Sequence, residues 1–126
     1  MARILLVDDE KTIHTFLKYV LHKRGHAVVG ALSGPLALEL VASDDFDLYL
    51  IDLDMPEMSG ETLVNRLRRQ GKGDPFIILS GLPEEEVRSA ADRLGAAGSI
   101  RKPFKVEKLL EVIRSVADLS EDDSQA

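Results

Sequence analysis

Apolar residues fall into two alternating patterns along the chain. Short unbroken runs, Ile4 to Val7, Ala27 to Val29, Leu48 to Ile51 and Phe76 to Leu79, suit strands covered on both faces of a parallel sheet. Between them, apolar residues recur at helical spacing. From Lys11 to Arg24 these are Ile13, Phe16, Leu17, Val20 and Leu21, with Gly25 as the stop. Ser33 is placed as the N-cap of a second helix carrying Leu36, Leu40 and Val41, and a third runs from Gly60 to Gln70 with Leu63, Val64 and Leu67 inward. Pro83 and Glu84 to Glu86 fit the first turn of a fourth, which carries Val87, Ala90, Ala91 and Leu94 and ends at Gly95. Ala97 to Arg101 reads as a fifth strand although Gly98 and Ser99 lower its propensity, and Lys102-Pro103 closes it. The last helix is predicted from Lys105 to Leu119, with Val106, Leu109, Leu110, Ile113 and Val116 on one stripe. Five strand–helix units in strict alternation predict an α/β fold: a doubly wound three-layer sandwich with five helices on the two faces of a parallel sheet.

The chain has 126 residues, one domain by length, enough to bury roughly two-thirds of its unfolded surface. The domain is expected to span residues 1–119, followed by a short polar, acidic tail at 120–126. A net charge of −6 argues against direct nucleic-acid binding or an anionic membrane surface, both of which need a cationic face. The absence of cysteine excludes disulfides, thiolate zinc sites and a cysteine nucleophile. Four apolar residues before Asp8 are too few for a signal peptide or a membrane span, so a cytoplasmic protein is expected.

The strand ends carry the chemistry. If all five strands are parallel, Asp8, Asp9, Asp52, Ser80 and Lys102 meet at one sheet edge, where ligands bind in such folds. Three carboxylates that close repel one another and would drift toward protonation without a cation, which favours a hard divalent metal with oxygen ligands, Mg2+ foremost. A metal held by few carboxylates completes its shell with water and phosphate oxygens, so phosphoryl chemistry is expected. Asp52 is then the candidate nucleophile, Lys102 a neutraliser of phosphoryl charge, and Ser80 a hydrogen-bond donor to a phosphoryl oxygen.

Four ordered elements, Leu5-Leu6-Val7-Asp8-Asp9-Glu10, Asp52-Leu53-Asp54-Met55-Pro56 with Gly60, Leu79-Ser80-Gly81, and Gly95-Ala96 leading to Lys102-Pro103-Phe104, make residues 1 to about 118 resemble the receiver domain of two-component response regulators. That resemblance implies a flavodoxin-like, five-stranded sheet in the order 2-1-3-4-5, as in a stand-alone chemotaxis regulator. It implies that Asp52 is the phosphoacceptor, that Asp8, Asp9, Asp52 and the backbone carbonyl of Asp54 hold Mg2+, and that Ser80 and Lys102 are the hydroxyl and lysine of the site. The donor it implies is a phosphohistidine on a sensor histidine kinase or a histidine phosphotransfer protein. A downstream protein target would read the phosphorylated state, with the chain a monomer or weak dimer. The chain itself would be no enzyme beyond its self-catalysed phosphorylation and slow autodephosphorylation. Asp54 and Leu82, two residues beyond Asp52 and Ser80, are expected to tune the lifetime of the phosphoryl group.

One position departs from the family. Ser99 stands three residues before Lys102, where an aromatic switch residue is usual, so output is expected to run mainly through the loop after Ser80 and the start of the fourth helix. Three other readings are open to these residues. The chain can be a receiver cut from a longer regulator or hybrid kinase. Asp52-Leu53-Asp54 also matches the Asp-x-Asp start of haloacid-dehalogenase-type phosphatases, although there the motif usually follows the first strand and continues into threonine. An acidic pair before a helix can be no more than a cap with first-turn charge. His14, His22 and His26 lack metal-ligand spacing, and His14 and His22 are placed on the exposed side of the first helix; Arg66, Arg68, Arg69 and Lys72 read as a solvated basic face.

Overall fold

The computed structural model describes the backbone of residues 1–125 and the side chains of residues 1–116. Its elements alternate as β1 (Arg3–Val7), α1 (Lys11–His22), β2 (Ala27–Ala31), α2 (Gly34–Val41), β3 (Leu48–Asp52), α3 (Gly60–Arg69), β4 (Phe76–Ser80), α4 (Glu84–Leu94), β5 (Gly98–Arg101) and α5 (Val106–Gln125). All pairings are parallel, and the sheet order is β2-β1-β3-β4-β5. The predicted α/β architecture and strand order therefore hold. α5 continues to Gln125, through most of the stretch expected as a tail; Ala126 lies outside the described residues.

The continuous apolar runs follow from burial on both faces. Leu5, Val7, Tyr49, Ile51, Phe76 and Ile78 point to a cluster completed by Ala37 and Val41 of α2, Leu63, Val64 and Leu67 of α3, and Val87, Ala90 and Leu94 of α4. Their strand neighbours Ile4, Leu6, Leu48, Leu50, Ile77 and Leu79 point the other way, onto Leu17 and Leu21 of α1 and Leu109 and Ile113 of α5. Each side-chain alternation thus feeds one of two cores.

Several helix details were legible and several were not. Ser33 caps α2 as expected by accepting the Leu36 N–H, and Ser59, not singled out from the sequence, caps α3 by accepting the Thr62 N–H. Phe16 and Leu36, on the predicted apolar stripes, are instead exposed, while His14, expected on the exposed side, is buried with 7% of its surface accessible. The basic run is not simply solvated. Arg68 grips Asp74 with two bonds of 2.9 Å and lies over the Phe76 ring, and Lys72 reaches the carbonyls of Val41 and Asp44 to close off the C-terminus of α2.

Candidate functional site

Parallel register brings the strand ends together. Val7 lies beside Ile51, Asp52 beside Leu79 and Ser80 beside Arg101, so the chain leaves β1, β3, β4 and β5 at one edge. Asp8, Asp52 and Ser80 are buried there, whereas Asp9 and Asp54 are exposed. Gly60 makes the local geometry possible: a Cβ at that position would sit 2.3 Å from the Asp52 carbonyl oxygen, so the start of α3 packs directly against the backbone of the Asp52 loop.

Asp8, Asp9 and Asp52 each place one carboxylate oxygen within 4.8 Å of the others. Lys102 enters the same space, with Nζ 2.7 Å from Asp8 Oδ2 and 3.5 Å from Asp52 Oδ2. A third acid, Glu10, stands 3.3 Å from Nζ and was not picked out as a site residue from the sequence, although the Asp-Asp-Glu run carried the signal. The acidic pair is not a simple helix cap. Glu10 occupies the N-cap of α1 but its side chain makes no capping bond to the helix, while Asp8 Oδ1 accepts the Glu10 N–H at 2.9 Å. A donor set of three carboxylates beside open space suits a hard, oxygen-seeking divalent cation better than a soft one.

Burial dominates the acid–base character of Asp52. It pushes the carboxyl up from 3.8 to about 6, against the opposing pull of the Lys102 charge and of the Asp54 N–H that Oδ1 accepts at 3.1 Å; the Asp8 charge adds to the rise. For Lys102, burial acts to lower the ammonium's value, but the hydrogen bond to Asp8 and the charges of Asp52 and Asp8 outweigh it and leave it raised. Lys102 is therefore held as a cation among carboxylates. Ser80 Oγ accepts the Leu82 N–H at 3.1 Å, which leaves its own hydrogen free to be donated.

A cleft of about 470 Å³ opens over these groups, lined by Asp52, Asp54, Gly81 and Lys102 on its polar side and by Ile13, Phe16 and Phe104 on its apolar side. The Phe16 and Phe104 rings lie 6.4 Å apart. Ser99 sits in β5 opposite Ile78, half-buried.

A parallel 2-1-3-4-5 sheet with a lysine-bridged acidic cluster at its carboxyl edge is the arrangement that the resemblance to receiver domains implies, and sequence comparison agrees. Residues 4–114 match the response regulator receiver domain family, and the chain belongs to it. It is 34% identical over 115 residues to the response regulator MprA of Mycolicibacterium vanbaalenii, covering 91% of this chain and 50% of that one. It is also 34% identical to the transcriptional regulatory protein DltR of Streptococcus agalactiae over 112 residues, 89% of this chain and 50% of the relative. The chain thus spans about half the length of these curated relatives. Among solved structures, chemotaxis protein CheY4 of Vibrio cholerae superposes with a TM-score of 0.84 at 31% identity, over 92% of this chain and 98% of that one. Response regulator TrrA of Thermotoga maritima, in complex with Mg(2+)-BeF, gives 0.80 at 31% identity over 92% of this chain and 99% of that one. No helix among the described residues is long and apolar enough to cross a membrane.

Proposed function

We propose that this chain is a phosphoacceptor that takes a phosphoryl group onto Asp52 and uses it to switch protein contacts. The observation that carries this reading is the Lys102 ammonium held 2.7 Å from Asp8 and 3.5 Å from Asp52 inside a carboxylate cluster. Asp8, Asp9, Asp52 and the Asp54 carbonyl would hold Mg2+, which when bound supplies charge neutralisation for phosphoryl oxygens. An ionised Asp52 oxygen attacks the phosphorus of a phosphohistidine; the P–N bond breaks, its electron pair leaves with the imidazole, and an acyl phosphate forms. Lys102 shifts from the carboxylates toward the new phosphoryl oxygens, and Ser80 donates its free hydrogen to one of them.

The donor on this reading is a sensor histidine kinase or histidine phosphotransfer protein, and the reader is a downstream protein. Because the matched regulators are about twice as long, a receiver belonging to a larger regulator is a second reading that the coverage favours. The haloacid-dehalogenase alternative gains no support, since the family match spans residues 4–114 as a receiver.

Intact mass after incubation with Mg2+ and a small acyl phosphate tests the proposal. One added phosphoryl group, dependent on Mg2+ and absent in Asp52→Asn, is expected. Turnover of phosphomonoesters without a stable adduct would instead point to a phosphatase.

A further inference from the structure

His14 is a polar side chain more than nine-tenths buried that the phosphoryl chemistry does not use. Its Nε2 lies 2.6 Å from the backbone carbonyl oxygen of Asp8. A carbonyl only accepts, so Nε2 carries the hydrogen and donates. The ring itself occupies the space of a missing side chain on the neighbouring strand: a Cβ at Gly30 would fall 2.3 Å from Nδ1 and 2.8 Å from Cε1. Position 30 therefore has to be glycine as long as position 14 carries this ring in this place.

Asp8 is thereby fixed at four points. Its N–H donates to Ala31 at 3.2 Å, its carbonyl receives His14, Oδ1 receives the Glu10 N–H, and Oδ2 receives Lys102. Of the three bonds besides that of His14, one closes the Asp8-Asp9-Glu10 turn on itself, one runs from the Asp8 N–H to Ala31 of β2, and one joins the Asp8 carboxylate to Lys102 beyond β5. The His14 bond alone ties the carbonyl between Asp8 and Asp9 to the body of α1, and this peptide sets how the two carboxylates stand toward each other. We propose that His14, admitted by Gly30, is a positioning residue that holds the Asp8-Asp9 peptide in the orientation that binds a divalent cation. This rests on the reading that Asp8 and Asp9 hold Mg2+.

A mere space-filler and a positioning donor make different demands. Space filling needs a flat ring, which His14→Phe retains; positioning needs an N–H at the Nε2 place, which His14→Gln retains. Titration calorimetry of Mg2+ into the metal-free chain reads the difference. Loss of a group that orients a metal ligand typically weakens metal affinity roughly 10- to 100-fold, and a loss in that range is expected for His14→Phe. His14→Gln is expected to stay near wild type. Gly30→Ala, whose methyl would push the ring off the Asp8 carbonyl, should weaken binding in the wild-type background and add little to His14→Phe, a non-additivity that independent packing defects do not produce. If His14→Phe fails to fold by circular dichroism, Gly30→Ala with His14→Gln decides.

Wild-type affinity in both His14→Phe and Gly30→Ala would overturn the inference, as would an equal loss in His14→Gln and His14→Phe. A wild-type chain with no Mg2+ affinity would overturn it together with the metal site. A wild-type chain that binds Mg2+ but takes up no phosphoryl group would defeat the phosphoacceptor reading alone, and the affinity pattern would still support the role of His14.

Discussion

Lys102 Nζ and Asp8 Oδ2, 94 positions apart in sequence, meet at 2.7 Å with the aspartate fully buried. The lysine thus places positive charge among the carboxylates, where the phosphoacceptor reading needs it. Lys102→Met removes a cation that competes with Mg2+ for the same oxygens, so Mg2+ affinity is expected to rise severalfold. Phosphoryl uptake should nevertheless slow, because the charge that follows the transferred oxygens is gone. Calorimetry and a time course of intact mass separate the two effects.

Asp52 links the site to stability. Its folded value of about 6 lies above its ordinary 3.8, so the ionised carboxylate costs the folded state free energy. That cost is absent below about pH 3.8, grows as the pH rises toward 6, and is complete above it. At 1.36 kcal/mol per unit, it amounts to roughly 3 kcal/mol at most. Asp52→Asn is expected to be more stable than wild type at pH 7.5 without divalent cation and to lose that advantage at pH 3.5. Urea midpoints at the two pH values check this; equal differences at both would refute it.

The loop after Asp52 carries strain of its own. Glu57 has φ of 67°, and the Met58 N–H bonds back to the Pro56 carbonyl at 2.7 Å, closing a three-residue turn. A side chain in this region costs about 1–2 kcal/mol relative to ordinary backbone, part of which glycine returns through the greater freedom of the unfolded chain. Glu57→Gly is expected to stabilise the fold by about 0.5–1 kcal/mol, visible as a rise in Tm of a few degrees. A fall in Tm would show that the glutamate side chain makes up for the turn.

Lys72 is expected to matter more than a surface lysine usually does. Nζ reaches Val41 O at 2.6 Å, Asp44 O at 3.3 Å and Asp45 Oδ1 at 3.1 Å, so one ammonium ties the last carbonyl of α2 to the loop that follows it. Lys72→Met keeps most of the apolar stem and removes the donors, and should cost about 1–2 kcal/mol by chemical denaturation. A change within error would mean that water replaces the ammonium at no loss.

These residues also mark where sequence reading succeeds and stops. The strands were legible because continuous apolar runs ending in Asp8, Asp52 and Ser80 leave a parallel sheet little freedom, and the site followed from their carboxyl ends meeting at one edge. His14 was misplaced because the helical stripe ranks faces by hydropathy, and an imidazole scores as polar even where one hydrogen bond and a glycine on the next strand make burial favourable. Phe16 failed in the opposite sense: its ring belongs to the stripe but leans toward Phe104 across the cleft instead of into the core. Lys72 looked solvated because its partners in α2 are close only after folding. Pairings of this kind depend on tertiary distance, which one-dimensional spacing does not encode.

The Leu82 peptide is expected to be the part that moves. Ser80 Oγ accepts its N–H at 3.1 Å, and Arg101 Nε donates to its carbonyl at 3.0 Å, so both sides of the loop leading into α4 are held before phosphorylation. On the phosphoacceptor reading, a Ser80 hydroxyl turned toward a phosphoryl oxygen would put the first of these bonds under tension, while β5 offers no aromatic ring at Ser99 to follow the motion. Taking such a switch from mostly off to mostly on needs about 5.5 kcal/mol of differential interaction, which few moving contacts supply. The response to Mg2+ with beryllofluoride should therefore be concentrated in backbone amide shifts of residues 80–90 and small at 99. Arg101→Ala, which frees the Leu82 carbonyl, should move the same amides part of the way without the mimic. Unchanged amides at 80–90 in the presence of bound mimic would sink this account and leave the output of Asp52 to another surface.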